Sequence, residues 1–146
     1  KYADLSCNRI SDYTFSYERM LRFEGNTAAF ILYSYVRVQG IKRKIEADIE
    51  LLKKTAHIEL IHPSEIQLAL TLTQFSEILE LVAQDLLPNR LTDYLYSLAE
   101  TFNIFFRDCR VEGSKEQNSR LLLTEATGQT LKTGLHILGI RTLEKM

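Results

Sequence analysis

Helix breakers, cysteines and charge of one sign are all scarce in this chain. Two prolines and six glycines in 146 residues leave long stretches free to propagate as helix, because those two residue types cost most in a helix interior. Two cysteines, Cys7 and Cys109, lie far apart in apolar-rich contexts. They read as small reduced thiols rather than a disulfide framework, which points to the cytoplasm. The three histidines, His57, His62 and His136, pair with neither cysteine at metal-ligand spacing, so no metal site is expected. Eighteen Lys and Arg stand against nineteen Asp and Glu, a net charge of −1. That balance excludes a nucleic-acid binder working by bulk positive charge, and any such function has to rest on a local patch. No apolar run approaches the roughly 20 residues that a membrane span requires, and no signal peptide is visible. A glycine-rich phosphate loop in a strand–helix setting is also missing. The chain opens on Lys1, inside a stretch (KYADLSCNR) that itself reads as helix. It is therefore expected to be a piece of a longer protein.

What is present is helical periodicity. A chain of this length buries roughly 68–70% of its unfolded surface and needs no staple. After a short connector at Asp12 to Phe15, SYERMLRF suits two helical turns. Gly25-Asn26 breaks it, with Asn26 as N-cap of a helix from Thr27 to about Lys44. EADIELLKKTA continues with Ile49, Leu52 and Ala56 at helical spacing. Its carboxylates Glu46, Asp48 and Glu50 suit the N-terminal end of a helix dipole. Pro63 fits the first turn of the next helix, and SEILELVAQDLL extends the pattern. Long helices over about Arg90–Cys109 and Ser119–Leu138 follow, separated by the polar loop VEGSKEQNS. Gly139 closes the last helix as a C′ residue. No segment reads as a strand. The expectation is an all-α bundle.

The helix around AAFILYSYVRVQGIKRK carries two apolar faces. At about 100° per residue, Phe30, Tyr33, Arg37 and Ile41 share one narrow sector, with Ser34 beside it. Ile31, Leu32, Tyr35 and Val38 lie opposite, and this aliphatic-rich side is the natural one to pack on the bundle. Two readings of the other side stay open. Phe30 and Tyr33 are either buried between this helix and a neighbour, or they form a surface on which unpaired bases stack, with Arg37 on a phosphate or base edge.

The N-terminal third, with Tyr2-x-Asp4-Leu5-Ser6, Asp12-Tyr13-x-Phe15, Met20-Leu21, Gly25-Asn26-Thr27 and the Tyr33-x-x-x-Arg37 helix, resembles the region that follows the catalytic domain of arginyl-tRNA synthetases. The C-terminal stretch NSRLLLTEATGQTLKTGLHILGIRTLEKM, ending Leu138-Gly139-Ile140 and Met146, is similar to the family's terminal helix, and LAETFNIFFRDCRV to the helix before it. The likeness covers nearly the whole chain and is weakest over Ile45–Pro88.

That resemblance implies an all-α helical bundle of the class I aminoacyl-tRNA synthetase anticodon-binding (DALR) type. Residues 25–146 would form the anticodon-binding domain, and residues 1–24 the tail of the connection to an absent catalytic domain. The HIGH and KMSKS signatures do not occur, so the chain itself is expected to carry no catalytic residue and no cofactor. ATP and Mg2+ belong to the parent enzyme. The implied partner is an arginine-accepting tRNA, bound by a monomer joined to its catalytic domain in cis, with no membrane. By alignment Phe30, Tyr33, Arg37, Phe106 and Met146 would approach the anticodon loop, with Lys42, Arg43 and Lys44 as candidate phosphate contacts. Two departures stand out. Phe30 and Phe106 occupy positions that are frequently tyrosine in the family, so a ring face is kept and a hydroxyl lost. Gly40 stands where the family often has serine. A helical protein–protein interaction module is the competing reading.

Overall fold

The computed structural model describes residues 1–145, with Arg19 described by its main chain alone. Its helices are α1 (Tyr2–Leu5), α2 (Tyr17–Met20), α3 (Ala28–Ile45), α4 (Ile49–Thr55), α5 (Pro63–Thr73), α6 (Phe75–Asp85), α7 (Asn89–Asp108) and α8 (Gln117–Ile137). The described residues contain no strand.

Local chemistry sets most of the helix ends. Thr27, extended at φ −131° and ψ 154°, accepts from the Phe30 N–H on its Oγ1 at 3.3 Å and starts α3. The cap therefore falls one residue after the expected Asn26. Asn26 is committed elsewhere: its Oδ1 accepts from the Tyr2 hydroxyl at 2.6 Å, and its Nδ2 donates to Asp93 at 2.9 Å. Asp48 caps α4 by accepting from the Leu51 N–H. At α5, Pro63 follows the cap residue His62, and the Glu65 carboxylate reaches back to the Ile61 and His62 N–H groups at 2.7 and 2.8 Å. This reciprocal box satisfies orphan donors that would otherwise be buried unpaired. Gly139, at φ +67°, closes α8 with a Schellman pair: its N–H donates to His136 and the Ile140 N–H donates to Leu135. The expected two turns over SYERMLRF shrink to the single turn of α2.

α7 is the axis of the bundle. Leu91, Leu95, Leu98, Phe102 and Phe105 recur every three to four residues along it, and all are fully buried. Each such side chain stabilises the fold by about 1.5–3 kcal/mol through its burial. α3 packs on α7 and α8 through Ile31, Tyr35 and Val38, while α5 contributes Leu68. Tyr2 on α1 also enters the core, with its hydroxyl oxygen 3.0 Å from the Thr92 carbonyl. α8 approaches closely because it carries glycine at the crossings. A Cβ at Gly128 would lie 2.7 Å from Val38 Cγ1, and one at Gly134 2.5 Å from Leu95 Cδ2.

Pro63–Asp85 reaches a mean hydropathy of 1.2, enough by length and composition for a membrane span, which the sequence reading did not anticipate. Its first half nevertheless carries a charged group inward. Glu65 is fully buried and pairs with Arg120 of α8 at 2.7 Å. Burial pushes the Glu65 carboxyl up, but the His62 and Ile61 N–H groups and the Arg120 guanidinium outweigh it. The pKa ends below the usual carboxylate range.

Candidate nucleic-acid interface

Three helical turns on α3 and α7 build the site. Tyr33 and Arg37 are one turn apart on α3, so their side chains meet on one face. Phe106 faces them from the last turns of α7. The Arg37 guanidinium carbon lies 4.9 Å from the centre of the Tyr33 ring and 4.8 Å from that of Phe106. A cation lodged between two ring faces is held by both quadrupoles. Tyr33 is 53% exposed and Phe106 40%, so each ring keeps surface free for another flat group.

A polar chain fixes the guanidinium. Arg37 Nη1 donates to Asn103 Oδ1 at 2.5 Å, Asn103 Nδ2 donates to Ser34 Oγ at 3.2 Å, and the Ser34 hydroxyl donates to the Phe30 carbonyl at 3.1 Å. Ser34 is fully buried, so the far end of this chain is immobile. The amide of Asn103 is oriented by having to accept from Arg37 and donate to Ser34.

The other residues singled out from the sequence divide. Phe30 shares the angular sector of Tyr33 and Arg37, but α7 crosses over it. It is half-buried against Tyr96, with ring centres 5.3 Å apart. Of the two readings open for this face, Phe30 follows the one that packs it against a neighbouring helix, and Tyr33 the one that leaves it exposed. Lys42 does not turn toward the rings: it pairs with Glu125 on α8 at 2.5 Å. Lys44 pairs with Glu112, and Arg43 donates to the Glu144 carbonyl at 3.0 Å. Met146 lies outside the described residues. Ile31, Tyr35 and Val38 are buried as expected, whereas Leu32 is only half-buried.

Beyond the rings, α3 and α7 leave an open groove of about 570 Å3. Arg43 and Lys44 line it from α3, and Arg107 and Arg110 from the end of α7, with Gly40 and Ile41 between. Among the described residues, Glu112 is the one acidic residue in its wall. Asn103, Arg107 and Arg110 were missed in the sequence. The signal for the arginines was available in FFRDCR, where two cations follow Phe106 within four residues; nothing in sequence marks Asn103. A recess of similar size beside Tyr2 and Phe23 holds no cation over a ring among the described residues. Nor do those residues contain a group of three His, Cys, Asp or Glu side chains placed to hold a metal ion. The groove offers stacking faces and positive charge, which is binding chemistry.

Comparison with known proteins agrees with that chemistry. The family described as the DALR anticodon binding domain matches residues 31–146. An arginine–tRNA ligase of Protochlamydia amoebophila is 64% identical over 146 residues, covering 100% of this chain and 25% of that protein. The arginine–tRNA ligase of Chlamydia caviae is 54% identical over 146 residues, again 100% of this chain and 26% of that protein. In three dimensions, the crystal structure of arginyl-tRNA synthetase from Plasmodium falciparum matches with a TM-score of 0.90 at 36% identity, over 99% of this chain and 26% of that one. The chain thus spans about a quarter of the length of these relatives. With four-fifths of its residues inside the family match and its helical fold shared throughout, the chain belongs to the DALR anticodon-binding domain family.

Proposed function

We propose that this chain grips the anticodon stem-loop of an arginine-accepting tRNA as part of an arginine–tRNA ligase. The parts of the ligase outside this chain would supply the ATP- and Mg2+-dependent attachment of arginine. Tyr33 and Phe106 accept unpaired bases on their free faces, and Arg37 binds a phosphate or base edge between them. Phe30, half-buried against Tyr96, offers the loop what its ring leaves exposed, and Met146 joins the loop from the C-terminus. Residues 25–146 make the binding domain, and residues 1–24 lead to a catalytic domain in cis. The ligase works as a cytoplasmic monomer. The observation that carries this reading is the Arg37 guanidinium held between two exposed rings.

Titration of the chain with an arginine anticodon stem-loop tests it. Binding is expected to weaken steeply with salt. Tyr33→Ala is expected to cost about 1–3 kcal/mol, the worth of one stacked base, with the helical CD spectrum unchanged. Equal affinity for an unrelated stem-loop reduces the site to a general RNA surface, and no binding at low salt abandons it for a protein-contact module.

A further inference from the structure

We propose that the groove is a two-part site, in which the Tyr33 and Phe106 rings hold loop bases while Arg43, in the last turn of α3, and Arg110, just beyond α7, clamp the adjoining backbone phosphates of the same single-stranded RNA loop. This rests on the RNA-binding reading above and adds to it the residues that carry the electrostatic share.

The argument is one of charge already spent. Among the described residues, five cationic side chains stand around the groove or between its rings: Arg37, Arg43, Lys44, Arg107 and Arg110. Two of them are neutralised inside the protein. Lys44 is paired with Glu112, and Arg107 Nε lies 2.7 Å from Asp108 Oδ1. Lys42, the third cation at the end of α3, is turned away to Glu125. Arg37, Arg43 and Arg110 make no ion pair with a carboxylate among the described residues. The bond that Arg43 makes goes to the neutral main-chain carbonyl of Glu144, so its full positive charge stays available. Arg37 is held by Asn103 between the rings and serves the nucleotides stacked there, so Arg43 and Arg110 are the further cations without a carboxylate partner left for the adjoining backbone.

Geometry places them suitably. Arg43 stands in the last turn of α3 and Arg110 two residues beyond the end of α7 at Asp108, and both line the groove. A helix C-terminus alone repels an anion, so a phosphate can lie here only against cations placed at the helix ends. Arg110 also swings from a fixed point, because its carbonyl accepts from Arg120 Nη1 at 2.8 Å and Arg120 is anchored by buried Glu65.

The test is the salt dependence of stem-loop affinity, measured for the chain by fluorescence anisotropy with an arginine anticodon stem-loop. Arg43→Gln and Arg110→Gln are each expected to make the plot of log affinity against log salt shallower by about 0.7, the loss of one single-strand phosphate contact. Both variants should keep the wild-type melting temperature and preference among loop bases. Arg107→Gln, whose charge is already met by Asp108, is expected to leave the slope unchanged. An unchanged slope in Arg43→Gln and Arg110→Gln, with Tyr33→Ala still weakening binding, overturns the clamp and spares the function. A drop in Arg107→Gln equal to that of Arg110→Gln overturns the sorting of cations by carboxylate partner. Loss of all binding in the unaltered chain removes both proposals together.

Discussion

Asn103 is half-buried, uncharged and unremarkable in sequence, yet it decides where the Arg37 guanidinium sits. It accepts from Arg37 and donates to buried Ser34, so it transmits the rigidity of the core to a side chain at the surface. An arginine otherwise carries about 2 kcal/mol of rotamer entropy, and ordering it in advance lowers the cost of each contact with a ligand. Asn103→Ala is therefore expected to weaken stem-loop binding by about 0.5–1.5 kcal/mol, the scale of immobilising one rotamer-rich side chain. The loss should disappear when Arg37 is already alanine, which a double-mutant cycle reads directly. Additive losses from the two substitutions would show that Asn103 acts by some other route. Tyr33 and Arg37 were legible in the sequence because one helix sets their relation, a local matter of spacing. Asn103 was not, since its role depends on how two helices cross, and no periodicity within one helix encodes that crossing. Lys42 failed for the same reason: its partner, Glu125, lies 83 positions further on in another helix.

At the scale of the element, two mid-helix glycines carry opposite meanings that composition cannot separate. Gly40 sits in α3 with no atom within 4 Å of where a Cβ would be. Gly134 sits in α8 with Leu95 Cδ2 only 2.5 Å from that point. Gly40→Ala removes the entropic penalty of glycine and is expected to raise stability by about 0.5–1 kcal/mol. Gly134→Ala makes the same propensity gain but forces α8 off α7, an overpacking cost of about 1–3 kcal/mol. Urea unfolding of the two variants should move the midpoint in opposite directions. A shift of the same sign in both would mean that α8 yields freely at the crossing. The helices themselves were readable where caps mark them, as at Pro63 and Gly139, with ends found to within a few residues. The close contacts of α8 were not, because its glycines look like breakers in sequence and act as clearance in the fold.

Across the whole molecule, Arg120 acts as a brace between three segments. It binds Glu65 at the start of α5, pairs with Glu116 at the N-cap of α8, and holds the Arg110 carbonyl just beyond α7. Glu125 with Lys42 ties α8 to α3 in the same way. Burial raises the Glu125 carboxyl, yet hydrogen bonds from Lys42 and Gln129 outweigh it, so its pKa, like that of Glu65, lies below the usual range. A carboxyl with a depressed folded pKa contributes stability that is fully present above its unfolded value, about 4.3 for Glu, and is lost as the pH falls through the folded one. Asp93 runs the other way, since burial raises its carboxyl and the Asn26 hydrogen bond offsets this only in part. Its contribution rises on acidification, opposite in sign to those of Glu65 and Glu125. Stability is therefore expected to be level from pH 7 to about pH 5 and to fall below about pH 4. Glu65→Gln leaves Arg120 without its buried counter-charge and should cost about 3–5 kcal/mol at pH 7, a large share of the roughly 5–15 kcal/mol that holds a domain folded. It should also flatten the acid limb, because one of the two responsible carboxyls is gone. Urea unfolding of both proteins at pH 7, 5 and 3.5 measures this. An acid limb as steep in Glu65→Gln as in the unaltered chain would assign the acid sensitivity to surface carboxylates such as Asp108, and would remove Glu65 from the account of stability. Because Arg120 also positions Arg110, the same variant should weaken stem-loop binding near neutral pH, so the brace couples the stability of the bundle to the shape of its groove.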